Sequence, residues 1–211
     1  MGPLDLLTLT ILTVVGVQLV QAARHSVSAR SHVVRIMRGL GRRQFLHAVP
    51  VLIAVMAALI ALLQVPGLSF GWWTAIGGVG NPVFGASEHG LEGDSSILLS
   101  GLFVALLLVS LPLLVEREEM IFRRGAEQRG AFANTGFALL FGLLHVLVGI
   151  PIAAGLAISI GGGYFTHVYL RAFRETRSQA EALLASTRAH LAYNLVLISL
   201  VVVTLVLTLA V

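Results

Sequence analysis

Polar residues sit within or beside apolar stretches of this chain: the Glu118/Glu119 pair, His145, His190 and Asn194. Carboxylates and imidazoles in such a setting are groups that exchange protons. The first pair is Glu118 and Glu119, with Arg123 four residues past Glu119, so that Glu119 and Arg123 can pair on one helix face. Phe141 and His145 form a second i, i+4 pair, and His190 and Asn194 a third. Inserting a polar or ionisable side chain into a membrane helix costs about 2.5–3.5 kcal/mol, which makes each of these residues a candidate for function. The cluster Glu116–Gly125 around the first pair holds three of the ten carboxylates and three of the fourteen basic residues. It follows directly on the apolar run Ile97–Val115. It is therefore either that segment's exit into water or a site held within the membrane.

The elements that position these groups are legible in the composition. Of 211 residues, 57% are hydrophobic and 11% charged, against about 25% charged in soluble domains. Apolar runs fall at about 3–22, 47–64, 97–115, 133–149, 151–170 and 189–211. Each is near the ~20 residues that cross a ~30 Å hydrocarbon core. Spanning backbone must satisfy its own hydrogen bonds, so the runs read as helices, and the alternating strands of a barrel are absent. The expected fold is all-α: a polytopic membrane helix bundle of about six transmembrane helices in a single domain over 1–211. Residues 1–95 supply two helices, a basic inner loop and an outer loop, and residues 96–211 supply the core that carries these groups.

All fourteen basic residues are arginine: six from Arg24 to Arg43, four from Arg117 to Arg129 and four from Arg171 to Arg188. With six spans these segments share one side, which the positive-inside rule makes cytoplasmic, leaving the N-terminus and C-terminus outside. The expected location is a prokaryotic cytoplasmic membrane. The pI of about 10.6 then reports topology and contact with anionic lipid, and calls for no nucleic acid. The absence of cysteine excludes disulfides, thiol catalysis and thiolate metal sites.

Local signals add detail. Arg35, Arg38 and Arg42 lie at i, i+3 and i+7, the pattern of a helix on the inner surface, with a plain topogenic loop as the alternative. In the outer loop 65–96, Trp72-Trp73 suits an aromatic belt, and Glu88, His89, Glu92 and Asp94 read as solvated rather than metal-binding. The third run shows no helix breaker until Arg129-Gly130. Gly161-Gly162-Gly163 marks close helix approach or local unwinding. Residues 178–189 read as a helix entering the sixth run. Counting inward from the expected inner helix ends puts Glu118 at ~16 Å, His145 at ~20 Å and His190 at ~18 Å. The competing reading leaves Glu118 among headgroups, His145 bonded to a carbonyl and Asn194 as a packing contact.

Glu118-Glu119-Met120-Ile121-Phe122-Arg123 fits EExxxR, Phe141-Gly142-Leu143-Leu144-His145 fits FxxxH, and His190-Leu191-Ala192-Tyr193-Asn194 fits HxxxN. In this order, over about 100–195, they resemble the CPBP family of intramembrane proteases (CAAX protease and bacteriocin-processing, also called Abi). The resemblance implies hydrolysis of peptide bonds in membrane-associated peptide or protein substrates. Glu118 would be the general base aided by His145, His190 and Asn194 would hold the oxyanion, and Glu119 with Arg123 would form a supporting ion pair. It implies no cofactor in the metal-free reading. In a metal-dependent one, Glu118, His145 and His190 would ligate zinc. Here Arg124 separates Arg123 from Gly125, and the spacer between His145 and His190 carries the charged segment Arg171–Arg188. Some relatives act without proteolysis, so the alternative expectation is a subunit or assembly factor of a larger membrane protein complex. A transporter is disfavoured because no inverted repeat is visible.

Overall fold

Helices make up all the regular structure among the described residues, 3–72 and 94–209 of a computed structural model, and no strand occurs among them. α1 (Pro3–Ser28) runs past the end expected for the first apolar run, and a short α2 (Arg30–Arg38) follows it. The arginine-bearing segment is therefore helical but broken at Ala29. In α2, Arg35 and Arg38 are exposed while Ile36 is fully buried, as an amphipathic surface helix requires. α3 (Arg42–Leu63) begins where the Gln44 Oε1 accepts the Gly41 N–H at 3.0 Å, satisfying a donor that the first turn leaves unpaired.

The remaining elements are α4 (Asp94–Phe122), a 3-10 turn (Ala126–Gln128), α5 (Ala131–Leu144), a second 3-10 turn (His145–Val148), α6 (Ile152–Thr176) and α7 (Gln179–Leu209). The helix expected over 178–189 begins at Gln179 and runs into the sixth apolar stretch without a break. α6 continues through the first third of the Arg171–Arg188 segment, so only Arg177 and Ser178 link α6 to α7. Arg177 takes a left-handed φ of 55° to make that turn. Gly161-Gly162-Gly163 stays helical within α6.

The break expected at Arg129-Gly130 comes earlier. α4 ends at Phe122, and Gly125 adopts φ 80°. Helix propensity in the intervening residues is outweighed by specific bonds. The Arg129 Nη2 donates to the Phe122 carbonyl at 2.8 Å, taking up one of the last unpaired carbonyls of α4. The Asn134 Nδ2 donates to the Ala126 carbonyl at 3.0 Å. Glu118 thus lies four residues from the end of α4, and a common depth counted along the chain is not what brings it to His190.

α5 packs on α6 most extensively, α3 against α6 and α7, and α4 against α1 and α7. At the α5–α6 contact a methyl group on Gly142 would strike the Gly155 carbonyl and Ser159, and one on Gly162 would press on Ala138 and Phe141. These glycines let two backbones approach closely. The central cluster joins Ala48, Leu52 and Val55 of α3 to Phe122, Phe141, Phe165 and Tyr193. Among the described residues two helical segments, Arg42–Leu63 and Gln179–Val203, are long and apolar enough to cross a membrane. Most of the outer loop, with Trp73, Glu88, His89 and Glu92, lies outside the described residues. The Trp72 Nε1 donates to the Leu147 carbonyl at 3.2 Å.

Candidate functional site

The last turn of α4 delivers Glu119 into the centre of the bundle, where it is 0% exposed. A buried carboxylate needs hydrogen bonds and a countercharge, and three elements supply them. From α7, the His190 Nδ1 lies 2.9 Å from Oε1, and the Ser186 hydroxyl donates to Oε2. Just past the end of α4, the Arg123 Nε lies 3.5 Å from Oε2, an ion pair longer than a hydrogen bond. From α6, the Gly162 carbonyl accepts from the Arg123 Nη2 at 3.2 Å. The Arg123 guanidinium also sits 4.4 Å from the centroid of the Phe141 ring, whose face attracts a cation. Among the described residues its Nε and Nη1 find no hydrogen-bond partner, so charge and ring faces hold it more than hydrogen bonds do.

The aromatic cluster fixes the imidazole. Phe165 stacks on His190 with centroids 4.2 Å apart and an interplanar angle of 17°. Phe141 meets His190 edge-on at 5.5 Å. With Nδ1 turned to Glu119, Nε2 points toward Glu118 and lies 3.7 Å from its Oε2. The Glu118 side chain is 38% exposed and that of His190 only 3%, so the pair spans the boundary between interior and accessible surface.

This geometry constrains the protons. An ionised Glu119 only accepts, so Nδ1 carries a hydrogen and donates it. A neutral His190 then has a bare Nε2, and only its imidazolium can donate from that atom as well.

The three sequence pairs are brought together unevenly. Glu118, Glu119, Arg123 and His190 converge as described. The His145 Nδ1 donates to the Phe141 carbonyl at 2.8 Å, the bond foreseen by the competing reading, which leaves Nε2 as its acceptor atom. His145 reaches the network through the Phe141 ring, 5.0 Å away. Asn194, one turn beyond His190 on α7, is half-buried. Among the described residues no three His, Asp or Glu side chains are placed to hold a metal ion. The set Glu118, His145 and His190 is therefore not assembled as ligands.

Sequence reasoning missed Ser186 and Asn134, and gave Gly162 and Arg129 no part in the polar network. Ser186 did leave a signal, since Ser186, His190 and Asn194 repeat at i, i+4, i+8 on one helix. Near the arginine-bearing end, Glu127 accepts from the Tyr169 hydroxyl at 2.9 Å and from the Gln179 amide, joining the first 3-10 turn to α6 and α7. Partial burial raises the pKa of Glu127, but its own backbone N–H, Gln179 and Tyr169 outweigh that and hold the carboxyl below its ordinary value. No family model, curated protein or solved structure matches this chain.

Proposed function

We propose that this protein is an integral membrane bundle of about six spans with its arginine-bearing loops in the cytoplasm, and that it is an intramembrane endopeptidase of CPBP type. The observation that carries the reading is the Glu118–His190 pair, an accessible carboxylate 3.7 Å from an imidazole that buried Glu119 holds in place. One water can hydrogen-bond to both groups across that distance. Glu118 takes a proton from the water as its oxygen bonds to the scissile carbonyl carbon. His190, as imidazolium, and the Asn194 amide stabilise the oxyanion that forms. The proton on Glu118 then passes to the leaving nitrogen as the carbon–nitrogen bond breaks. Glu119, Ser186 and Arg123 position His190 and do not touch substrate.

The test is cleavage of a broad set of membrane-anchored peptides by the purified protein in proteoliposomes. Wild type is expected to cleave at least one peptide, and Glu118→Gln to lower its kcat by about 10²–10⁴-fold. Cleavage of nothing by wild type, or equal cleavage by the variant, would overturn the reading.

One observation favours a second reading, a non-proteolytic subunit of a membrane complex. His145 is bonded to a backbone carbonyl and contacts the network only through Phe141. That reading expects co-purification with other membrane proteins and an unimpaired complex in His145→Ala.

A further inference from the structure

A cavity of about 390 Å³ opens between the start of α3, the last turns of α6 and the first half of α7, and none of the Glu119 network lines it. Its volume lies within the ~300–1,000 Å³ range of small-molecule sites. Arg43, Arg171 and Arg188 face it, with Glu175 as its one carboxylate among the described residues. Three positive charges less one negative leave a net charge of two. Glu175 is taken by Arg171, whose Nε lies 3.0 Å away. Arg188 spends its donors on backbone, giving Nε to the Ile36 carbonyl at 3.1 Å and Nη2 to the Arg35 carbonyl at 2.9 Å. Among the described residues neither Arg43 nor Arg188 has a carboxylate within ion-pair distance. His47 and His167 add donors to the same walls. Like charges converging on a cavity of this size favour a bound anion.

The cavity is also amphipathic. Along α6 the lining passes from Glu175 and Arg171 through His167 to Tyr164, and on α7 Arg188 gives way to Ala189. Beyond Arg43 and His47, the same side of α3 continues as the exposed apolar residues Pro50, Ala54, Ala57 and Ala61, at i+7, i+11, i+14 and i+18 from Arg43. A free anion would use the arginines and leave that face uncovered. An amphiphile would use both.

We propose that this cavity binds the phosphate headgroup of an anionic phospholipid, whose acyl chains lie along the exposed face of α3. The inference rests on the membrane placement proposed above and is independent of protease activity.

The experiment uses the full chain purified in neutral detergent, offered equal amounts of phosphatidylglycerol and phosphatidylcholine, with retained lipid read by native mass spectrometry. Wild type is expected to retain phosphatidylglycerol about tenfold or more over phosphatidylcholine. Arg188 also anchors α2, so the variant avoids it. Arg43→Gln with Arg171→Gln takes the cavity charge from two to zero and is expected to bring the preference within about twofold, with the melting temperature in lipid-free detergent unchanged. The control, Arg24→Gln with Arg30→Gln, removes the same charge elsewhere and should keep the preference.

No preference in wild type, an unchanged preference in the cavity variant, or an equal loss in the control would each overturn the proposal. Displacement of the lipid by millimolar inorganic phosphate, with equal stabilisation by phosphate alone, would overturn it in favour of a free-anion site. Flotation with liposomes separates the two levels. A protein that does not float contradicts the membrane placement, and one that floats without lipid preference contradicts only the cavity assignment.

Discussion

The His190 Nδ1 lies 2.9 Å from the Glu119 Oε1 although 71 residues separate the two in sequence. That bond divides the labour between adjacent carboxylates. Glu119 is buried and fully engaged, whereas Glu118 is accessible and meets His190 only through Nε2.

The first prediction follows from that division. Removing Glu119 leaves Arg123 as a buried charge without its partner, which costs about 3–5 kcal/mol. Removing Glu118 takes away an accessible carboxylate and should cost less than about 1 kcal/mol. Glu119→Ala is therefore expected to unfold far more readily than Glu118→Ala in denaturant titrations in mixed micelles. Equal stabilities would show that Glu119 is not the centre of the network.

Ser186 gives a second, separable outcome. Its hydroxyl donates to the Glu119 carboxylate, and losing a hydrogen bond to a charged group costs about 1.5–3 kcal/mol. Ser186→Ala should lower stability by that order. Under the protease reading it should also lower kcat with little change in KM, because His190 loses orientation while substrate contacts remain. A change confined to KM would place Ser186 against substrate instead.

Much of this arrangement was legible in the chain, and the parts that were not share a cause. Helical identity followed from apolar runs, and the Glu119–Arg123 pair from i, i+4 spacing, because both are local properties. The end of α4 was misplaced because it is set by Arg129 and Asn134 reaching back to the Phe122 and Ala126 carbonyls, contacts that no propensity encodes. The partners of Glu116 illustrate the same limit. Arg117 is adjacent in sequence, yet Glu116 bonds to the His32 Nε2 at 2.8 Å, across from α2. Gly161-Gly162-Gly163 was ambiguous between packing and unwinding, and close contact with α5 resolved it toward packing.

The glycines of the α5–α6 contact supply a third prediction. A Cβ at Gly142 would meet the Gly155 carbonyl and the backbone of Ser159, neither of which can rotate away. Overpacking of this kind costs about 1–3 kcal/mol. At Gly163 no heavy atom lies within 4 Å of where a Cβ would sit, and alanine there should be neutral or stabilising by up to about 1 kcal/mol. Thermal unfolding in detergent should thus rank Gly163→Ala at or above wild type, with Gly142→Ala well below. The reverse order would mean that α5 and α6 do not meet at Gly142.

The fourth prediction concerns acid. Glu127 bridges the first 3-10 turn to Tyr169 of α6 and Gln179 of α7, and its carboxyl is held below the ordinary value because those donors outweigh partial burial. A carboxyl whose pKa is lower in the folded chain than in the unfolded one binds fewer protons when folded. Its stabilisation is complete above the unfolded pKa and is lost as pH falls through the folded value. The bridge should therefore weaken in the acid range below about pH 5. Glu127→Gln cannot ionise and should lack that component. The difference in melting temperature between wild type and Glu127→Gln is expected to be largest near neutral pH and to shrink as pH falls. A difference that stayed constant with pH would show that the carboxylate form of Glu127 does not stabilise the turn. One that grew in acid would show that its folded pKa is raised rather than lowered.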